Sequence, residues 1–152
     1  MRFFLMAATA GLFTVSTVMM AQQALAVQDT PITINGIEAV CTGVGSAKDD
    51  PRWGAYPIKI VLATTGGANL ANAHVTLNKG GKEVAGLDCD APWILFRAPP
   101  GAYSATATLI GGSGRSSSTS FTSGTAQKEV TITFASRNPA VSLPAGSVPP
   151  AQ

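Results

Sequence analysis

Concentrated charge is scarce in this sequence. Asp, Glu, Lys and Arg make up 12% of the 152 residues, 10 basic against 8 acidic, and they are scattered along the chain. A protein that binds nucleic acid or an anionic membrane surface usually carries a basic run, and none is present. The sequence therefore predicts no nucleic-acid partner. After residue 26 no apolar run approaches the roughly 20 residues of a membrane-spanning helix, so no membrane span is expected in the mature chain.

Residues and motifs that carry catalysis are equally scarce. His74 is the only histidine, so a Ser-His-Asp triad would depend on it alone. Strand alternation places Val75 and Leu77 on one side and His74 on the other, which predicts a solvent-facing imidazole. The nucleophile elbow G-x-S-x-G is missing, and so is a phosphate-binding loop with its lysine and hydroxyl. We therefore predict no catalytic residues and no cofactor, and we expect a non-enzymatic protein.

The sequence has only two cysteines, Cys41 and Cys89, and neither belongs to a C-x-x-C motif. A metal site would have to combine them with His74 or with Asp88 and Asp90, and three or four ligands at a usable spacing are lacking. In an oxidising compartment such a pair usually becomes a disulfide. The predicted Cys41–Cys89 bond would stabilise the fold by about 4 kcal/mol through loop closure. No metal site is predicted.

The N-terminal segment has the pattern of a secretory signal peptide. Arg2 supplies a positive charge, residues 3–20 are largely apolar, and residues 24–26 form an Ala-Leu-Ala cleavage site. A membrane anchor is the alternative, but no charged stop-transfer flank follows the apolar segment. We predict a signal peptide over residues 1–26, a mature chain that begins at Val27, and a periplasmic or secreted location.

Helical periodicity of useful length is absent after residue 26, whereas short alternating segments separated by glycine turns recur about every ten residues. This pattern is typical of all-β folds. We predict a single antiparallel β-sandwich of about seven strands, Ig-like or transthyretin-like, over residues 27–135, with a small closed barrel as the alternative. The predicted strands cover residues 32–44, 56–65, 73–78, 83–87, 94–96, 103–109, 115–123 and 128–135.

The stretch from residue 88 to residue 103 organises this prediction. Pro99, Pro100 and Gly101 form a turn, because proline presets φ on entry and glycine accepts a positive φ. Tyr103 then begins an alternating strand and is expected to pack into the core.

Two segments near the C-terminus are predicted to contribute little to the core. Residues 115–123 are serine-rich and predict an edge strand or a mobile flap, since a polar edge discourages edge-to-edge pairing. Residues 136–152 contain four prolines and predict a disordered or polyproline-like tail.

Three aromatic residues could form a ligand platform or belong to the core. Trp53 lies in a predicted loop over residues 46–54 and Tyr56 follows it, so these two could stack against a sugar. Trp93 precedes an apolar strand and is expected in the core. Burial is the commoner fate of isolated aromatics in small sandwiches, so carbohydrate binding through Trp53 and Tyr56 is the alternative hypothesis rather than the leading one.

Seven short motifs between residues 35 and 134 carry a resemblance to a known family. They are Asn35-Gly36-Ile37, Cys41-Thr42-Gly43-Val44-Gly45, Tyr56-Pro57-Ile58-Lys59, Val75-Thr76-Leu77, Gly81-Lys82-Glu83-Val84, Ala91-Pro92-Trp93 and Pro99-Pro100-Gly101-Ala102-Tyr103. With these motifs the chain resembles small exported bacterial proteins with a carboxypeptidase regulatory-like, transthyretin-like β-sandwich domain, and a strand leading into a Pro-Gly-x-Tyr turn is the most typical feature. The resemblance implies an accessory or binding module and no peptidase active site, because fold likeness does not confer function.

The sequence thus predicts an exported interaction or structural module of the bacterial envelope. Protein contacts are expected at an exposed sheet edge or at loops. The expected partner is an envelope protein, with a glycan as the alternative partner.

Overall fold

A computed structural model describes residues 27–111 and 114–136. The predicted signal peptide (1–26) and all but the first residue of the predicted tail (136–152) lie outside these ranges. The described chain is built almost entirely from strands, which confirms the all-β prediction. The strands are β1 (Ile32–Ile34), β2 (Ile37–Thr42), β3 (Ile58–Thr64), β4 (Ala73–Lys79), β5 (Lys82–Cys89), β6 (Trp93–Arg97), β7 (Gly101–Leu109), β8 (Ser116–Ser123) and β9 (Lys128–Phe134).

The strands form two sheets that pack as a sandwich. The five-stranded sheet has the order β1-β2-β6-β3-β9, and the four-stranded sheet has the order β5-β4-β7-β8. The described residues therefore form nine strands where about seven were expected. All pairings between strands are antiparallel except one, because β9 runs parallel to β3 with Ile58 opposite Lys128.

The predicted first strand over residues 32–44 is wrong, because the chain folds back on itself within it. Asn35 has a φ of 50° and Gly36 a φ of 81°. Two successive positive φ values are the geometry of the tight hairpin turn that Asn-Gly favours. Residues 32–42 therefore form two paired strands, β1 and β2, with Ile34 opposite Ile37.

The core lies between the sheets and is built from alternate residues of each strand, as a period of two requires. Ile58, Ile60 and Leu62 of β3 face Val75, Leu77 and their neighbours in the other sheet. Cys41 of β2 and Cys89 of β5 form a disulfide with a Cα–Cα distance of 5.6 Å. The predicted disulfide is therefore confirmed, and it joins the two sheets.

Tyr103 packs inward directly after the turn at residues 99–101, as predicted. Its side chain is 4% exposed, and its hydroxyl donates a hydrogen bond to the carbonyl oxygen of Pro99 at 2.5 Å. Phe121 of β8 stacks on the ring, with centroids 6.2 Å apart. The turn and the start of β7 are thus held by one side chain that is both packed and hydrogen-bonded.

Candidate functional site

The outer face of the five-stranded sheet is covered by the segment between β2 and β3. This segment forms two short 3-10 turns, Gly45–Asp49 and Pro51–Ala55. They place Trp53 and Tyr56 on Val40 and Leu95, and these four side chains make a second apolar cluster outside the main core. We call this outer surface the covered face.

Hydrogen bonds hold both covering rings in place. The Nε1 of Trp53 donates to the carbonyl oxygen of Ala47 at 2.7 Å. The side-chain amide of Gln127 donates to the carbonyl oxygens of Trp53 and Tyr56, at 2.7 and 3.0 Å. Asp50 begins the second turn by accepting from the backbone N–H of Arg52. Such satisfied polar groups allow a loop to be buried against a sheet.

Tyr56 has a strongly perturbed ionisation. Its hydroxyl donates to Glu38 Oε1 at 2.5 Å, and the guanidinium of Arg97 lies 4.8 Å from the ring centroid. Burial of the phenol, together with the hydrogen bond and the negative charge of Glu38, raises the pKa of Tyr56 to about 12. These causes all oppose formation of the phenolate. The Tyr56 hydroxyl therefore acts as a hydrogen-bond donor that anchors the loop.

Trp93 is half-buried on the outer face of the five-stranded sheet. The sequence predicted that Trp93 would lie in the core, and this prediction is wrong. The ammonium of Lys59 is 3.7 Å from the Trp93 ring centroid and 2.9 Å from Glu129 Oε2. Gly43 also approaches Trp93 closely, because a Cβ at Gly43 would lie 2.7 Å from Cγ of Trp93. The prediction was wrong because an apolar strand with two buried faces has no single inward side.

The burial of both predicted platform residues weighs against carbohydrate binding. Trp53 is 4% exposed and Tyr56 is 2% exposed. Arg52 lies over the Trp53 ring at 4.2 Å from its centroid. A sugar stacks on a flat ring face from which water can leave, and neither ring presents such a face here. Glycan binding stays a hypothesis that requires this loop to open.

The outer face of the four-stranded sheet is bare and polar. We call it the hydroxyl face, because most of its side chains are serine or threonine. Cross-strand pairs join the hydroxyls of Thr106 and Ser118, and those of Thr108 and Ser116, at 2.7 Å each. Its members are His74, Thr76 and Asn78 of β4, Asp88 of β5, Ser104, Thr106 and Thr108 of β7, and Ser116, Ser118, Ser120 and Thr122 of β8.

His74 belongs to a row that crosses this face. Its Nδ1 lies 2.6 Å from Asp88 Oδ1, and Thr108 and then Ser116 occupy the next two strands at the same level. The imidazole is half-buried rather than fully solvent-facing. Acyl transfer also requires free donors for an oxyanion, and β4 and β7 are central strands whose amides bond to neighbouring strands. We assign the row no catalytic role.

Two further findings concern the described ranges 27–111 and 114–136. No group of three or more His, Cys, Asp and Glu side chains there could hold a metal ion. No helix in those ranges is long and apolar enough to cross a membrane.

The edge strand β8 has backbone groups directed away from the protein. Leu109 donates from its N–H to the carbonyl oxygen of Arg115 at 2.9 Å, and these residues lie opposite each other in the register. Antiparallel pairs alternate between those that exchange backbone hydrogen bonds and those that do not. Residues 117, 119, 121 and 123 therefore bond to β7. Ser116, Ser118, Ser120 and Thr122 point their N–H and C=O groups to the free edge.

The other three sheet edges are protected, and β8 is not. Native edges avoid pairing with foreign strands through shortness, proline, charge or bulges. Strand β1 has three residues after Pro31. Strand β5 carries Lys82 and Glu83 and a register shift at the same end. Strand β9 begins with a lysine and a glutamate. Strand β8 has eight residues in regular register, with no charge and no proline.

The edge position of β8, predicted from the serine-rich pattern, is confirmed. The sequence did not reveal which backbone groups of β8 are free, because the alternation between bonded and free groups depends on how β8 pairs with β7.

No protein-family model and no curated protein matches this chain.

Proposed function

We propose that this protein is a non-enzymatic binding module that acts in the periplasm or outside the cell. In this role it binds an envelope protein by adding an extended segment of that partner to β8. The free edge of β8 supports the proposal, because strand addition uses main-chain hydrogen bonds for affinity and alternate side chains for specificity. The resemblance to accessory β-sandwich domains points to the same class of function.

The chemistry of the described residues also favours binding over catalysis. The His74–Asp88 pair lies on an open sheet rather than in a cleft, and its neighbours are hydroxyls already bonded to each other. The β8 edge, in contrast, presents four N–H and four C=O groups in a row. A partner strand would satisfy these groups and would meet the exposed hydroxyls of Ser116, Ser118, Ser120 and Thr122 along one side.

The first test uses Ser120→Pro with Ser120→Val as the matched control. The N–H of Ser120 points to the free edge, so proline removes one edge donor and adds a ring there without breaking a bond to β7. Valine keeps the N–H and favours the strand. A photo-cross-linker at Thr122 would capture the partner from an envelope extract for identification. We expect the purified partner to bind wild type and Ser120→Val, and to bind Ser120→Pro at least about tenfold more weakly.

Amide hydrogen exchange gives an independent readout of the same geometry. The amides of Ser116, Ser118, Ser120 and Thr122 should exchange rapidly in the free protein and slowly in the complex. Those of residues 117, 119, 121 and 123 should be protected in both states, since they bond to β7. Equal affinity of Ser120→Pro and wild type, or unchanged exchange at these four amides, would contradict strand addition at β8.

A further inference from the structure

Three turns surround a cleft at one end of the sandwich. They are the turns between β1 and β2, between β4 and β5, and between β6 and β7. The cleft has a volume of about 680 Å³, within the range of small-molecule sites, and none of its lining residues belongs to β8. The residues are Asn35, Gly36, Ile37, Lys79, Lys82, Glu83, Val84, Pro99 and Tyr103.

The walls of the cleft are held by hydrogen bonds within the protein. The hydroxyl of Tyr103 donates to the carbonyl oxygen of Pro99, and the ring, which is 4% exposed, adds a small apolar area to the lining. The side-chain amide of Asn35 donates to the carbonyl oxygen of Val84 at 3.3 Å, and this bond links the turn between β1 and β2 to strand β5. Ile37 and Val84 add further apolar surface. The site is therefore preformed and largely apolar apart from its charged rim.

Two lysines of the rim lie directly opposite each other. Lys79 and Lys82 are cross-strand partners in the register, and Gly80 and Gly81 form the tight turn between them with φ values of 59° and 76°. Like charges in this position destabilise a hairpin. Neither ammonium has a carboxylate within salt-bridge distance among the described residues. The turn thus brings together two positive charges that a bound anion would neutralise.

The position of Lys79 is set by its neighbours in the cleft. Its ammonium lies 5.2 Å from the Tyr103 ring centroid. It also lies 3.2 Å from where a Cβ at Gly101 would be, so the glycine leaves room for it. Glu83 is the only acidic residue of the lining. Its side chain extends along β5 toward Gly86, where an added Cβ would lie 2.6 Å from the Glu83 Oε1. The charged rim therefore carries two positive charges against one negative charge.

We propose that this cleft binds a small amphipathic carboxylate, with the carboxylate at Lys79 and Lys82 and an apolar body against Pro99 and Val84, the more exposed apolar residues of the lining. A single negative charge suits the site because Glu83 would oppose a more highly charged ligand. The lining also contains no arginine, the residue that binds phosphate in a bidentate manner. The proposal is independent of strand addition, because no residue of the β8 edge takes part.

The test uses octanoate as the probe, with octan-1-ol and octylamine as matched neutral and cationic controls. Binding is measured by calorimetry and by amide chemical shifts of the full mature chain. We expect octanoate to bind and to shift the amides of residues 79–83 and of Gly101 and Tyr103. The affinity should fall as salt is raised, because the rim charges are exposed. The two controls should bind at least about tenfold more weakly.

The variant Lys79→Met/Lys82→Met keeps the apolar stems and removes both charges, and Lys48→Met/Lys128→Met removes the same charge elsewhere. We expect roughly a tenfold or greater loss of octanoate affinity in the first variant and none in the second. Should the first variant melt early, Lys82→Met alone supplies the test, since Lys82 is exposed and contacts no ring. Equal binding of octanol and octanoate, no binding of octanoate, or unchanged octanoate affinity in Lys79→Met/Lys82→Met or in Lys82→Met would overturn the proposal.

Discussion

The two sheets of the sandwich have outer faces of opposite character. On the covered face, Trp53 and Tyr56 pack on Val40 and Leu95 beneath a loop with two 3-10 turns. On the hydroxyl face, short polar side chains such as Thr106 and Ser118 bond to each other across strands and meet water. Both sheets share one core, so the difference arises only from the residues that alternate away from it.

This difference separates the residues that stabilise the fold from those available to a partner. The rings of Trp53 and Tyr56 on the covered face are almost fully buried, so changes there should act on the free energy of unfolding. The hydroxyl face ends at β8, whose free edge is directed to solvent, so changes there should act on binding.

Truncation of Trp53 tests whether the covered face is a structural core. Trp53→Ala removes a buried ring and its hydrogen bond to Ala47, which should lower the free energy of unfolding by about 3–5 kcal/mol. A small domain has roughly 5–15 kcal/mol in total, so the melting temperature should fall markedly. Urea and thermal denaturation measure the change. A wild-type melting temperature, combined with glycan binding that Trp53→Ala abolishes, would instead make Trp53 a sugar platform.

Alkaline titration tests the anchoring role of Tyr56. Its pKa of about 12 in the folded state lies above the value near 10 of an unfolded chain, so between these values the native state binds more protons than the unfolded state. The contribution of the Tyr56 phenol to the free energy of unfolding is therefore fully present below pH 10 and is lost as the pH rises through 12. The loss should amount to roughly 2–3 kcal/mol.

The comparison for this titration is Tyr56→Phe, measured by denaturation between pH 9 and pH 12. Phenylalanine keeps the packed ring and has no ionisable group. The free energy of unfolding of the variant should therefore fall less between pH 10 and pH 12 than that of wild type. Contributions from lysines cancel in the difference between the two proteins. Parallel stability curves for wild type and Tyr56→Phe would contradict the anchoring role of the hydroxyl.

The smallest effect is expected on the hydroxyl face. Thr106→Ala breaks the hydroxyl pair with Ser118, but water can replace the lost partner, so the free energy of unfolding should change by less than about 1 kcal/mol. The same denaturation measurement applies, and Ser118→Ala completes a double-mutant cycle. A loss comparable to that of Trp53→Ala would show that the hydroxyl face is a structural network and would remove the contrast between the two faces.

Much of the architecture could be predicted from local pattern. Alternation in β4 identified Val75 and Leu77 as inward residues, and the turn at residues 99–101 located Tyr103 correctly. The hairpin between β1 and β2 was missed although Asn35-Gly36 is a strong local turn signal, because an apolar alternation continued across it. The position of Trp93 could not be predicted, because it depends on contacts with Gly43 and Lys59 from other segments of the chain.

The sequence by itself determined the all-β class, the disulfide between Cys41 and Cys89, and the edge position of β8, since each follows from spacing, composition or the number of cysteines. Only the tertiary structure decided which outer face is covered and which backbone groups of β8 are free. It also decided that Lys79 and Lys82 meet Tyr103 in a cleft. A period of two distinguishes the two faces of a strand, but what lies against each face depends on contacts between distant segments.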